Sequence, residues 1–361
     1  MVAGGGTGGH VTPALALCDA VRERHSGARL WYVGRRDAFE QSMAVQAGIG
    51  FLSVCAAPLA HGFIGTLRCA GATLWGILQS VVLIMRYRPC ALIGFGGYAS
   101  FPLLTAGLLL RRCVVVHEAN AIPGKAFRLL SRLGARCAYG LVMNRAADRR
   151  HCYTGNPLRL AFLTALAGGE TELEGLRADA PTVMILGGSQ GARYLNTLAP
   201  QLLRRVVEHV PALQVIHVAG RGDTETVRRE YDRLGIPHHT VEFSHTIGVF
   251  YRRADVVVAR AGALTVSEVC AAGDAAIFVP YPYATDDHQY WNARVVADRE
   301  GAYVVRQDEL EPERVSALLT ALLRDDELRL AMQERAHALA CPDAAFRLLT
   351  FTEQCAGLQA A

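Results

Sequence analysis

Two glycine-rich turns lie half a chain apart, Gly4-Gly5-Gly6-Thr7-Gly8-Gly9-His10 and Gly187-Gly188-Ser189-Gln190-Gly191-Ala192-Arg193. Each follows an apolar run and opens a helix-like segment. Glycine lets the backbone come close to a ligand, and the unpaired N–H groups of a helix start attract an anion. One such turn constrains little. A pair at equivalent places in two half-chains predicts twin nucleotide-type folds facing each other across a cleft.

The rest of the chain agrees with that pairing. At 361 residues it is too long for one ordinary core, which favours two domains. Short β-branched runs at Leu30–Val33, Ala91–Phe95 and Cys113–Val116 alternate with helical patterns at Pro13–Arg24, Leu67–Tyr87, Pro102–Leu110 and Gly124–Leu133. Gly155-Asn156-Pro157 breaks the alternation, and the acidic stretch Gly168–Asp179 reads as a connector. Strand-like runs resume at Thr182–Leu186, Gln214–Val218, Asp255–Ala259 and Ala275–Val279, until Cys341-Pro342-Asp343 precedes a terminal helix. Strand–helix alternation implies parallel sheets covered on both faces. Only Met1, Val2 and Ala3 precede the first glycine, so the first strand is a stub: either the start lies upstream of Met1, which is the expectation, or the sheet tolerates a short central strand.

Composition removes several function classes. Hydrophobic residues make up 51% and charged residues 19%, a globular balance. A net charge of +4 argues against nucleic acid as the main partner. The ten cysteines are scattered singly with no Cys-x-x-Cys pair, which reads as small buried hydrophobes in a reducing cytoplasm. No signal-peptide pattern opens the chain. The uncharged stretch Cys69–Met85 is interrupted by Gly71, Gly76, Gln79 and Ser80 and is short of a bilayer span, so a transmembrane helix is not expected.

Gly4, Gly6 and Gly9 satisfy Gly-x-Gly-x-x-Gly, but a nicotinamide site needs an acid at the end of the next strand. That strand ends Tyr32-Val33-Gly34-Arg35-Arg36, which leaves only a weak NADP reading. Thr12 is expected to cap the first helix with Pro13 at its first position. His10 would then project toward a reacting hydroxyl as a general base, or else bond a nearby backbone group. Gly94-Phe95-Gly96-Gly97-Tyr98-Ala99-Ser100 fits either close approach of acceptor phosphates or tight helix–strand packing. From Arg260 to Glu268, small residues and a hydroxyl open another helix beside an expected phosphate. Glu268 could accept both hydroxyls of a ribose or simply face the helix dipole. Gln289 and Asn292, three apart, share a helix face and can reach sugar hydroxyls. Asp286-Asp287 imitates a metal motif without the glycine turn beside it, and no metal is expected.

Seven strings in order, GGTGGH (Gly5–His10), GFGGY (Gly94–Tyr98), HEAN (His117–Asn120), TGNP (Thr154–Pro157), GGSQGAR (Gly187–Arg193), RAGALTVSE (Arg260–Glu268) and DHQYWNA (Asp287–Ala293), resemble the MurG family. Its members transfer N-acetylglucosamine from UDP-GlcNAc to lipid I, making lipid II. The likeness spans nearly the whole chain. It implies an α/β fold of GT-B type, with residues 1–158 plus a helix at 342–361 as the acceptor and membrane-facing domain, and 159–341 as the donor domain. Arg159, Ser189, Gln190, Ile247, Arg260, Gly262, Ala263, Leu264, Thr265, Glu268, Gln289 and Asn292 fall on donor positions. Glu268 would take the ribose, Gln289 and Asn292 the sugar, and backbone near Ile247 the uracil. Thr7, Gly8, Gly9 and Asn120 would add substrate contacts from the first half. Gly96, Gly97 and Tyr98 would lie on the acceptor side, with His10 the base.

Departures are small: Ala119 where many members carry Gln, Ala261 for a common Ser, and His288 where some have Gln. The resemblance also recasts Phe63, Ile64, Leu67, Trp75, Leu78 and Val82, with Arg68, Arg86 and Arg88 at the ends. These become a membrane face on the cytoplasmic leaflet of the inner membrane, against the plainer reading of a core helix. Implied partners are UDP-GlcNAc, lipid I and other cell-wall and division proteins, with no obligatory cofactor. A UDP-GlcNAc 2-epimerase and a non-catalytic UDP-sugar scaffold are the competing readings.

Overall fold

The computed structural model describes residues 1–6, 8–58, 62–141, 148–169, 172–187 and 193–358. It divides into two compact units, Met1–Arg159 with Pro342–Ala361, and Leu160–Cys341.

The first unit carries strands β1 (Val2–Ala3), β2 (Trp31–Gly34), β3 (Gly50–Ser53), β4 (Leu92–Gly94), β5 (Val114–Glu118), β6 (Arg136–Tyr139) and β7 (His151–Tyr153). Their order across the sheet is β3-β2-β1-β4-β5-β6-β7, and the pairings are parallel. Between them run α1 (Gly8–Arg24), α2 (Phe39–Gln46), α3 (Phe63–Tyr87), α4 (Phe101–Leu109) and α5 (Lys125–Arg132). Chain order reverses at β1, so the carboxyl ends of β1 and β4 bound a switch-point crevice, where open α/β sheets bind ligands.

The stub strand is real and central. Val2 pairs with Tyr32 and Ile93, and Ala3 with Val33 and Gly94. Both faces of this two-residue strand are covered. Val2 packs into the cluster of Leu15, Leu17 and Leu348, and Ala3 into that of Leu103, Leu104 and Ile84.

The second unit runs α6 (Leu160–Ala167), β8 (Thr182–Leu186), α7 (Arg193–Val207), β9 (Gln214–Val218), α8 (Thr224–Leu234), β10 (His238–Val241), α9 (Ile247–Arg253) and β11 (Val256–Ala259). It continues with α10 (Ala263–Ala272), β12 (Ala275–Phe278), α11 (His288–Ala297), β13 (Ala302–Val304), α12 (Pro312–Arg324) and α13 (Asp326–His337). Its parallel sheet has the order β10-β9-β8-β11-β12-β13, with the switch point between β8 and β11. The last helix, α14 (Ala344–Ala356), belongs to the first unit and packs on α1. Buried Glu353 accepts bonds there from Arg24 Nη1 at 2.9 Å and His25 Nε2 at 2.6 Å.

One local expectation fails. Helix α1 begins at Gly8, so Thr12 does not cap it and Pro13 sits inside the helix. The proline ring removes the N–H that would have bonded the Gly9 carbonyl, a loss confined to the first two turns. Packing of Val11, Ala14 and Leu15 in the core overrides the low helix propensity of the two leading glycines.

Helix α3 begins at Phe63, earlier than the apolar pattern suggests, and packs against α4. Gly76 lets α3 lie against the segment after β3 as well, since a Cβ there would overlap the backbone carbonyl of Cys55 and stand 3.2 Å from Pro102 Cβ of α4. Gly76→Ala should therefore destabilise the first unit by about 1–3 kcal/mol, the usual cost of overpacking. Thermal unfolding followed by circular dichroism tests this, and a melting temperature equal to wild type would show that α3 is not clamped at Gly76.

Candidate active site

In the first unit, the turns after β1 and β4 lie side by side because their strands are neighbours. They touch through glycine. Gly97 has φ +74 and is so close to Gly5 that any Cβ would strike the Gly5 carbonyl. A Cβ on Gly96, at φ +86, would stand 3.1 Å from His10 Cδ2 and 3.2 Å from Nε2. Gly97 thus excludes a side chain by conformation and by space, and Gly96 disfavours one by conformation.

His10 occupies the first turn of α1, with Nδ1 3.0 Å from the Gly5 carbonyl. A carbonyl oxygen only accepts, so in the neutral ring Nδ1 carries the proton and Nε2 the lone pair. His10 thus makes the backbone bond of the plainer reading, and its Nε2 lies on the side of Gly96. Gly8 and Gly9 form the helix start beside it. Tyr98 borders the same crevice, its ring near Gly6 and its hydroxyl accepting from Arg35 Nη1 at 2.5 Å. Arg35 is thereby engaged with Tyr98.

At the end of β5, Glu118 ties down the following loop. Its carboxylate accepts from the Asn120 backbone and side chain at 3.0 Å each, and from Gly124 N at 2.8 Å. Asn120 is therefore held in place rather than swinging in solvent. Neighbouring His117 is fully buried against Phe95 and donates from Nε2 to the Gly155 carbonyl at 3.1 Å. Burial pushes its pKa down to about 4, so it stays neutral. Arg159 pairs with Asp19 of α1 at 3.0 Å, within this unit.

In the second unit, the site residues cluster where α9, α10 and α11 begin or end. Gly262 precedes α10 in extended conformation, and Ala263, Leu264 and Thr265 form its first turn. Glu268, one turn on, accepts from Tyr251 Oη at 3.0 Å. Burial raises its pKa from 4.5 to about 7, partly offset by that hydrogen bond. Ile247 opens α9, the helix that carries Tyr251.

Arg260 directly follows β11 and is tied to its own unit. Its guanidinium is buried, donating to the Val279 and Pro280 carbonyls at 3.0 and 3.1 Å and to Gln307 Oε1 at 2.7 Å. The rings of Tyr194 and Tyr281 flank it at 5.7 and 5.5 Å. Asn292, also buried, donates to the Ala261 carbonyl at 3.1 Å, and Gln289 accepts from Tyr281 N at 3.0 Å. Arg260 and Asn292 lock the β11–α10 and β12–α11 loops to each other, and Gln289 ties the second loop to its own helix.

Thr7, Ser189 and Gln190 lie outside the described residues. The sequence reading missed Tyr251, Glu118, Arg306 and Gln307. Only Glu118 had a signal, as the acid within HEAN. No group of three His, Cys, Asp or Glu suited to a metal occurs among the described residues.

Two family models match, the glycosyltransferase family 28 N-terminal domain over residues 1–139 and its C-terminal domain over residues 182–348. Together with two parallel sheets whose switch-point loops carry the site, this defines a family 28 glycosyltransferase. The chain is 36% identical over 345 residues to the UDP-N-acetylglucosamine–N-acetylmuramyl-(pentapeptide) pyrophosphoryl-undecaprenol N-acetylglucosamine transferase of Nitrosospira multiformis, covering 95% of each chain. It is 38% identical to the Halorhodospira halophila protein of that name over 363 residues, 98% of each. It also superposes on the crystal structure of Acinetobacter baumannii MurG with a TM-score of 0.78 at 27% identity, covering 98% of both. The chain belongs to this MurG family.

The environment of Glu268 gives a checkable pH behaviour. Its folded-state pKa of about 7 lies above the ordinary 4.5, so its stability contribution is fully present below 4.5 and is lost as pH rises through about 7. Tyr251→Phe removes the bond favouring the charged form and should push the midpoint higher still. Carbon-13 NMR of labelled glutamate would report the shift, and an unchanged or lowered midpoint in the variant would contradict this account.

Proposed function

We propose that the protein transfers N-acetylglucosamine from UDP-GlcNAc to the 4-hydroxyl of the N-acetylmuramic acid of lipid I, with inversion, releasing UDP and lipid II. The observation that carries the mechanism is His10, whose Nδ1 proton is engaged by the Gly5 carbonyl so that Nε2 holds the lone pair. Nε2 takes the proton of the acceptor hydroxyl as that oxygen attacks the sugar anomeric carbon. The bond from that carbon to the diphosphate breaks, and its electron pair leaves with UDP.

Donor residues follow the family positions. Glu268 accepts the ribose hydroxyls, its carboxylate form being fully available only above about pH 7. The first turn of α10, from Ala263 to Thr265, offers backbone N–H groups and the positive end of a helix to the diphosphate. Backbone at Ile247 meets the uracil, and Gln289 and Asn292 hold the sugar. Ser189, Gln190 and Arg159 complete the donor set, while Thr7, Gly8, Gly9, Asn120, Gly96, Gly97 and Tyr98 serve substrate contacts in the first unit. Because Arg260 is spent on carbonyls, its role is to shape the loop rather than to neutralise phosphate.

Lipid I resides in a membrane, and α3 supplies a means of reaching it. Leu67, Leu74, Trp75, Leu78, Val82 and Met85 are each more than half exposed along one side of the helix. Exposed Arg68, Arg86 and Arg88 stand at its ends. Ile84, Ser80 and Gly76 bury the opposite side. By length and composition α3 could cross a bilayer, yet one side is docked on its own unit. A helix lying in the interface with its cations toward anionic headgroups fits that division, at the cytoplasmic leaflet.

His10→Ala should lower turnover by at least ~10²-fold with UDP-GlcNAc affinity nearly unchanged. A radiolabelled transfer assay with lipid I, paired with calorimetry, checks both, and full turnover in the variant would remove His10 from the base role. Product from UDP-GlcNAc without acceptor would favour an epimerase instead. Independently, Leu67→Ser, Leu78→Ser and Val82→Ser combined should weaken cosedimentation with anionic vesicles by about tenfold or more. Equal vesicle binding would assign α3 another purpose.

A further inference from the structure

We propose that the dipeptide Arg306-Gln307, which follows β13 and carries no recognised motif, is the latch that positions both donor loops, each residue governing a different part of the nucleotide sugar. The inference rests on the donor reading above and assigns positioning residues to it.

Arg306 holds the loop before α11. Its Nη2 donates to Asp287 Oδ2 at 2.7 Å, and its guanidinium lies 3.9 Å from the centroid of the Tyr290 ring. Asp286 and Asp287 both have φ +52, two successive non-glycine residues in the left-handed region. Such backbone persists only where its surroundings over-determine it, and it concentrates at functional sites. Gln289 follows two residues after Asp287, between the two side chains that Arg306 grips. Arg306 therefore sets where the amide of Gln289 stands.

Gln307 holds the other loop. Its Oε1 accepts from Arg260 Nη2 at 2.7 Å, and its backbone carbonyl accepts from Tyr194 Oη of α7 at 3.4 Å. Arg260 immediately precedes the small residues that open α10, whose amides and Glu268 receive the diphosphate and ribose in the proposed function. The two neighbours thus hold different anchors, Asp287 and Tyr290 on the sugar-facing side for Arg306 and Arg260 on the nucleotide-facing side for Gln307.

That division predicts a split which general destabilisation cannot produce. In the full-length enzyme, Arg306→Ala should raise KM for UDP-GlcNAc about tenfold while the Kd for UDP alone, by calorimetry, stays within about twofold. Arg306→Lys keeps the charge but not the planar stack, and should fall between the two. Adding Asp286→Gly to Arg306→Ala should recover part of the KM, because glycine holds the left-handed turn without a clamp. Gln307→Ala should instead weaken UDP itself about tenfold. Unchanged KM in Arg306→Ala, or parallel losses for both ligands in both variants, overturns the proposal. Wild-type protein that takes up no UDP overturns the donor reading and this one with it, whereas UDP uptake with no split sinks the latch alone.

Discussion

A parallel strand cannot return to its neighbour by a tight turn, and that constraint governs the whole molecule. Every connection must cross over, usually through a helix, so each strand delivers its next turn to the same edge of the sheet. At the switch point, adjacent strands send their helices to opposite faces and leave a gap at that edge. The turns after β1 and β4 in one unit, and the loop after β11 in the other, carry most of the candidate site for this reason. Glycine is required where those turns meet, because Gly5 and Gly97 share a space with no room for a side chain.

Polar groups sharpen this framework. The first unit contributes a histidine of defined tautomer and an asparagine held by Glu118, and the second a carboxyl with its pKa raised to near neutrality. All three groups are half-buried; a hydrogen bond holds the histidine and the asparagine, whereas desolvation raises the carboxyl against its hydrogen bond from Tyr251. His217 of β9 illustrates the same physics without a catalytic purpose. It bridges Tyr231 and Asn196 at 2.8 and 3.0 Å, and burial lowers its pKa to about 3. A strongly shifted group is thus a functional candidate only where a crevice adjoins it.

Much of the fold was legible because strand runs end at clear punctuation. Thr182–Leu186 and Gln214–Val218 are strands at the residues where the pattern begins and stops. The start of α1 was not legible, since Gly8 and Gly9 read as turn until packing on the sheet draws them into helix. The motifs named His10, Glu268, Gln289 and Asn292, but not what holds them. The resemblance set Arg260 among the donor positions, and the tertiary fold adds the carbonyls of Val279 and Pro280 that its guanidinium bonds. Gln307 stands 47 residues from Arg260 along the chain, beyond any local pattern.

Helix α14 has a consequence for how the chain matures on the ribosome. The second unit is an uninterrupted segment, whereas the first is sewn shut by residues near the carboxyl end through Glu353, Arg24 and His25. The segment made first is therefore the one finished last. During synthesis the β1–β7 sheet must wait with the α1 surface bare while some two hundred later residues emerge. Its apolar flank is then a natural client for chaperones, a burden that the continuous half, free to collapse as soon as it leaves the tunnel, does not share.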